Sequence, residues 1–312
     1  MKLNRRHFIK TLSGTSAAVA LGGIPLAAFS KKELIQLTIL HTNDVHSHLD
    51  PFPENDPKFP GMGGAARKAA IIKKIRNEQE NVLLLDAGDI LQGSPYFNLY
   101  KGELEFKLMS QMGYEGATIG NHEFDNGLKE LEKQLPHANF PFICSNYDFT
   151  NTPMEGKTIP YKIVDKGGVK VGIFGLGVEL AGLVNKKMYG NTAYLDPIEI
   201  AAEYAHLLKV EKKCDLVICL SHLGYRYRSK KVCDHVVAKK SKHIDLIIGG
   251  HTHTFLNEPL RYRNSDDKEI IICQVGCYGI KLGRLDYFFK KKSAKKSVSG
   301  HTIKISNNTS RI

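Results

Sequence analysis

Five short apolar runs in this chain each lead into a residue able to bind a metal ion. No other feature restricts the fold as much. Residues 37–40 lead to Asp44-Val45-His46, residues 82–85 to Asp86-Ala87-Gly88-Asp89, and residues 117–119 to Gly120-Asn121-His122-Glu123. Residues 216–220 lead to Ser221-His222, and residues 244–248 to Gly249-Gly250-His251-Thr252-His253. Segments with apolar residues at helical spacing lie between the runs, at 63–80, 104–112, 128–135, 197–210 and 231–239. Strands alternating with helices predict an α/β architecture, with parallel pairing in the first half. Further strands are expected at 141–144 and 169–174. The closing runs 270–275 and 282–290 have no helix between them and suit antiparallel pairing. In open α/β sheets a ligand sits beyond the carboxyl ends of the strands, so the five endings should converge in one cleft.

Asp44 and His46 are two residues apart, as are His251 and His253, and in extended backbone that spacing puts both side chains on one face. Gly88, Gly120, Gly249 and Gly250 allow sharp turns and a close approach of backbone to a bound group. The candidate ligands are Asp44, His46, Asp89, Asn121, His222, His251 and His253. Imidazole, carboxylate and amide donors without thiolate suit manganese, zinc, iron, cobalt or nickel, and discriminate little among them. The set is too large for one tetrahedral ion and suits two divalent ions sharing a bridging carboxylate. Two aspartates leave such a pair with residual positive charge, which favours an anionic substrate. Paired ions ~3.5–4 Å apart polarise phosphoryl oxygens and lower the pKa of a bound water from 15.7 towards ~7. That chemistry hydrolyses a phosphate ester.

These motifs, together with the extended forms Leu40-His41-Thr42-Asn43-Asp44-Val45-His46-Ser47-His48 and Gly120-Asn121-His122-Glu123-Phe124-Asp125, resemble the calcineurin-like metallophosphoesterases. Within that family they resemble the 5′-nucleotidase branch, which includes UDP-sugar hydrolases and 2′,3′-cyclic phosphodiesterases. Gly63-Gly64-Ala65-Ala66-Arg67 and Asp196-Pro197-Ile198-Glu199 are similar to the same branch. The likeness runs over about residues 36–290. It implies a four-layer α/β/β/α sandwich of the metallo-dependent phosphatase type. It also implies that Asp44, His46, Asp89 and His253 hold one ion and that Asp89, Asn121, His222 and His251 hold the other, with Asp89 as the bridge. Asn121 and His122 would contact the phosphate, His122 would assist the leaving group, and Asp125 would orient His122. A carboxylate partner does fix an imidazole's tautomer and favour its protonated form. The activity implied is release of phosphate from nucleotides. A second reading is hydrolysis of another anionic ester: a sugar phosphate, a UDP-sugar, a 2′,3′-cyclic nucleotide or a sulfur-containing anion. A third is a metal- or phosphate-binding module without turnover, against which the His122–Asp125 pair argues.

The two ends are read separately from this core. Residues 1–30 have the three-part layout of an export signal, and Arg5-Arg6-His7-Phe8-Ile9-Lys10 resembles the twin-arginine type. A bacterial periplasmic or exported location follows as an expectation. The catalytic domain is placed at residues 31–290. A basic tail is placed at 291–312, where the lysine run around Lys290-Lys291-Lys292 reads as a solvated segment. The whole chain carries a formal charge of +12. No aromatic residues interleave with the lysine run, so no specific nucleic-acid binding is expected. No apolar run reaches the ~18 residues of a membrane-spanning helix. Exported relatives of this branch carry a second domain with base-stacking aromatics and arginines, while this sequence stops at Ile312. The expectation is therefore a catalytic half that accepts a broad range of esters or works with a separately encoded substrate-binding protein. The six cysteines form no Cys-x-x-Cys and are expected to be buried small hydrophobes.

Overall fold

The apolar runs become the inner strands of two sheets in the computed structural model, which describes residues 34–290 and 296–307. It also describes the backbone of residues 20–21 and 24–25, which pair antiparallel; the leader expected at 1–30 otherwise lies outside the described residues. The first sheet begins with β1 (Leu34–Thr42), β2 (Val82–Asp86) and β3 (Gly116–Ala117), all parallel. Their connections carry α1 (Ala65–Glu78), α2 (Pro95–Tyr100) and α3 (Glu103–Met112), and α4 (Leu128–Gln134) follows β3. A hairpin of β4 (Tyr161–Lys166) and β5 (Val169–Leu176) opens the second sheet. Next come α5 (Pro197–His206), β6 (Leu216–Ser221), α6 (Asp234–Lys240) and β7 (Leu246–Gly249), with β6 parallel to both β5 and β7. The pair β8 (Leu260–Arg263) and β9 (Glu269–Cys273) completes that sheet. The chain then returns to the first sheet as β10 (Lys281–Lys290) and β11 (Lys296–Lys304). The orders are β11-β10-β1-β2-β3 and β8-β9-β7-β6-β5-β4.

Alternate residues of each strand face opposite layers. Leu37, Ile39, Leu83, Leu85 and Leu285 of the first sheet pack between the sheets against Val171, Ile173, Ile218, Leu220 and Ile248 of the second. Leu40 and Leu84 face outwards onto Ile72 and Ile75 of α1 and Phe106 and Met109 of α3. On the far side Phe174, Val217, Cys219 and Ile247 meet Ala201 and Ala205 of α5 and Val237 of α6. Helix, sheet, sheet, helix is the four-layer sandwich that the resemblance implies. Strands covered on both faces have no polar face, which is why they read as continuous apolar runs. All six cysteines are buried and none is in a disulfide. No helix among the described residues is long and apolar enough to cross a membrane.

Three expectations need correction. The strand read at 117–119 stops at Ala117, and the one at 141–144 makes only single bridges, Ala117 to Phe142 and Ile143 to Ile159. The two closing runs do not pair with each other, since β9 lies in the second sheet and β10 in the first; β10 is antiparallel to β1 and β11, whereas β9 is antiparallel to β8 and parallel to β7. The unread strand β8 is the reason, because it reverses the chain before β9. The basic tail is corrected over its middle: Lys296–Lys304 is β11, paired along β10. Val298 packs on the inter-sheet core and Ile303 on the outer one, while Lys296 ion-pairs with Asp245. Ile305, just beyond the strand, is fully buried in the same outer core.

Candidate metal centre

Each of the seven side chains read as ligands sits just beyond a parallel strand. Asp44 and His46 follow β1, Asp89 follows β2, and Asn121 follows β3. His222 follows β6, and His251 and His253 follow β7. The cleft therefore draws on both sheets.

The backbone that aims these groups is not extended. Asp44 (φ 50°), His46 (φ 51°), Asp89 (φ 54°), His251 (φ 71°) and His253 (φ 50°) are all left-handed. The paired spacing thus works through tight bends, which corrects the extended-strand rationale. Left-handed residues other than glycine are uncommon and cost about 1–3 kcal/mol each, so they persist only where the surroundings enforce them. The enforcement is visible. His251 N–H donates to Asp44 Oδ1 (2.9 Å) and His122 N–H to Asp89 Oδ1 (2.9 Å). Asp44 N–H donates to Gly88 O (2.9 Å), and His46 N–H to Asp89 O (3.1 Å). Two glycines are required by close approach: a Cβ on Gly120 would lie 2.2 Å from Asp89 Oδ1, and one on Gly250 would lie 2.8 Å from His222 Nδ1.

The donor atoms gather in two sets joined through Asp89. Asp44, His46 and His253 have ligating atoms within 4.8 Å of one another, as do Asp89, His222 and His251. His46, Asp89 and His122 form a third such group that links them. His222 Nε2 lies 3.0 Å from Asp89 Oδ2, and His46 Nε2 lies 4.0 Å from the same oxygen. His253 Nε2 is 3.4 Å from Asp44 Oδ1. The far nitrogens are tied back, His222 Nδ1 to Ala87 O (2.7 Å) and His46 Nδ1 to Leu91 O (3.3 Å). Such backbone acceptors orient ligating imidazoles and leave the other nitrogen's lone pair facing the site. With that tautomer, His46 Nε2 faces His253 Nε2 at 2.9 Å, an approach that needs a proton or a cation between them. Asn121 Oδ1 is buried with no hydrogen-bond partner, an arrangement that buried amides rarely tolerate. The residues fit divalent cations.

Charge in the cleft is strongly coupled. Burial opposes ionisation of Asp89, but His222 outweighs it and holds the carboxyl well below its usual range. Burial likewise opposes protonation of His222, and Asp89 pushes its pKa up to about 10. A hydrogen bond to Asp44 raises His253 to about 10, while burial, then His222, depresses His251 to about 3. His122 stands at the rim with its side chain one-third exposed, its Nδ1–H donating to Asp125 Oδ2 at 2.8 Å. Burial opposes its protonation, yet Asp125 and Asp89 raise its pKa above the ordinary value.

Sequence reasoning assigned no role to several residues that hold the ligands in place. Glu123 is buried and accepts the N–H groups of Asp89 (3.0 Å), Ile90 (2.7 Å), Leu91 (3.2 Å) and Gly120 (2.6 Å), tying two ligand loops together. Its signal was membership of the Gly120–Asp125 motif, to which no role for this residue was attached. Asn43 donates to Asp44 Oδ2 (2.6 Å) and accepts from Val275 N–H (2.9 Å). Gln274 holds Gly250 O and Thr254 N–H, and nothing in the sequence marks it. Glu123→Gln puts an NH2 group where N–H donors now point. It is expected to lower stability by about 1–3 kcal/mol, the cost of an unsatisfied buried donor. Urea unfolding of both chains checks this; an unchanged midpoint counts against the role.

A family profile described as calcineurin-like phosphoesterase matches residues 37–255. The chain belongs to the calcineurin-like phosphoesterase family, whose members bind divalent metals. It is 35% identical over 296 residues to snake venom 5′-nucleotidase of Gloydius brevicauda, a match covering 88% of this chain and 49% of that protein. It is 33% identical over 294 residues to the trifunctional nucleotide phosphoesterase protein YfkN of Bacillus subtilis, covering 84% of this chain and 19% of that one. The solved structure of a 5′-nucleotidase precursor from Thermus thermophilus superposes with a TM-score of 0.80 at 30% identity, covering 88% of this chain and 55% of that chain. The chain thus spans about half the length of that venom relative, and far less of YfkN.

Proposed function

We propose that this protein hydrolyses phosphate esters with two divalent cations and that nucleotides are its substrates, in the manner of a 5′-nucleotidase. The observation that supports the reading is the chain of donor groups, in which Asp89 gathers with His222 and His251 and also with His46 and His122, while His46 gathers with Asp44 and His253; the His122–Asp125 pair stands beside them on the open rim. Asp44, His46, Asp89 and His253 would hold one cation, and Asp89, Asn121, His222 and His251 the other. Bound there, the cations would supply Lewis-acid polarisation of phosphoryl oxygens and activation of water for attack. Asn121 and His122 contact the phosphate. His122, kept protonated by Asp125, donates a hydrogen bond to the phosphoryl group and a proton towards the leaving oxygen. Similarity to nucleotidases over most of this chain supports the substrate class.

The His122 assignment sets the pH dependence. Activity requires the protonated imidazole, so it declines as pH rises through the His122 pKa, which the Asp125 carboxylate raises. Asp125→Asn removes that support and is expected to move the alkaline limb of kcat/KM to lower pH. An unmoved limb counts against the pairing.

The defining experiment assays purified full-length chain, loaded with manganese, cobalt or zinc, against AMP, a sugar phosphate and a 2′,3′-cyclic nucleotide. Phosphate release from AMP supports the reading; no release from any ester with any of these ions overturns it. A broader ester range is the second reading, and similarity to a trifunctional nucleotide phosphoesterase favours it. Export through the Arg5-Arg6 leader to a bacterial periplasm, and a separately encoded protein that completes substrate recognition, belong to the same proposal. Arg5→Lys with Arg6→Lys is expected to retain the protein in the cytoplasm, as fractionation would read.

A further inference from the structure

Four aromatic rings stand beside the metal centre without belonging to any of the three apolar cores: Phe52, Phe59, Phe255 and Tyr278. Tyr278 is the link to the site. Its ring centroid lies 5.9 Å from that of His46 and 5.9 Å from that of His253. It holds this place on a left-handed backbone (φ 61°), a strained conformation for so large a residue, and its N–H donates to Asp44 O at 2.7 Å. From Tyr278 the rings continue through His48, 4.3 Å from Tyr278 and stacked at 5.2 Å on Phe52, to Phe59 (6.2 Å from Tyr278) and Phe255 (6.2 Å from Phe59), over whose face the Lys281 ammonium lies at 5.2 Å. Phe255 is 38% exposed and the other three are half-buried. The segment that carries Phe52 and Phe59 is fixed by its own hydrogen bonds, Phe52 N–H to Met62 O (2.8 Å) and Phe59 N–H to Asp56 Oδ1 (2.7 Å). A partly exposed aromatic wall therefore begins at two of the ligands and leads away from them.

We infer that this wall is the subsite for the aromatic part of the substrate: the base of a nucleotide, or another aryl group esterified to the scissile phosphate. The inference rests on the phosphoesterase reading and adds to it a specificity element within this chain. A phosphate seated on the cations leaves its ester group to extend along whichever surface adjoins them, and on the Tyr278 side that surface is made of ring faces and edges. Stacking on such rings is tolerant of base identity because every base has a π-face. The wall accordingly selects for an aromatic ester group over an aliphatic one, and weakly among bases.

The test compares AMP with ribose 5-phosphate on the manganese-loaded full-length chain and measures adenosine binding by calorimetry. Phe59→Ala, and separately the more exposed Phe255→Ala, are expected to raise the ratio of KM for AMP to KM for ribose 5-phosphate about tenfold, and to weaken adenosine binding to a similar degree. If both variants keep the parent's ratio and its adenosine affinity within twofold, the wall serves another purpose, such as seating a partner protein, and the inference falls. That result with AMP still hydrolysed leaves the phosphoesterase reading standing. Conversely, adenosine binding that the variants lose, in a chain that turns over neither ester, upholds the wall and removes the hydrolytic reading.

Discussion

Asp89→Asn is expected to reduce kcat/KM by about 10³-fold and to lower bound metal from two equivalents to one or none. The fall follows from losing several kcal/mol of charge stabilisation at ~1.4 kcal/mol per tenfold. In the proposed assignment this carboxylate bridges the two ions, and it carries the negative charge that both His222 and His46 face at 3.0 and 4.0 Å. Asparagine keeps the shape and an oxygen for the His122 N–H, so the loop's backbone contact survives while the bridging charge does not. Elemental analysis alongside kinetics reads both effects. Two ions retained with activity within tenfold of the parent would show that Asp89 is not the bridge.

His122→Ala separates chemistry from assembly. A positioned general acid is worth about 10²–10⁴ in rate, and kcat is expected to fall by that factor while the cations stay bound. The side chain is one-third exposed, faces Asp125, and contributes a ligating atom only to the group it forms with His46 and Asp89. Removing it leaves every proposed ligand in place. Loss of bound metal together with activity would move His122 from acid to ligand; unchanged kcat would remove it from the mechanism altogether.

The linear order of residues named seven candidate ligands, six of which, Asp44, His46, Asp89, His222, His251 and His253, gather in the folded chain, and the reason is physical; the His122–Asp125 pair was named by resemblance. A parallel strand buried on both faces must be apolar throughout, so its carboxyl end is marked by the first polar residues after the run. Ligands at that end appear as a repeated pattern, one run after another. Helix periodicity located α1 and α3 for the same kind of reason, since each buries a single stripe against the sheet. Local pattern could not show that the runs divide between two sheets, because strand partners are chosen by packing between distant segments. Nor could it show that the paired ligands stand on left-handed backbone, which other loops enforce through Gly88 O on Asp44 N–H, Asp89 O on His46 N–H and Asp44 Oδ1 on His251 N–H. The segment 296–304 was read as tail because apolar residues such as Val298 and Ile303 count for little in a charged sequence and for much beside an open sheet edge. Phe52, Phe59, Phe255 and Tyr278 carry no mutual signal at separations of up to 226 residues, yet folding puts them in one wall. Spacing along a strand or helix is written locally; contact between side chains far apart in the chain depends on how the layers close over one another.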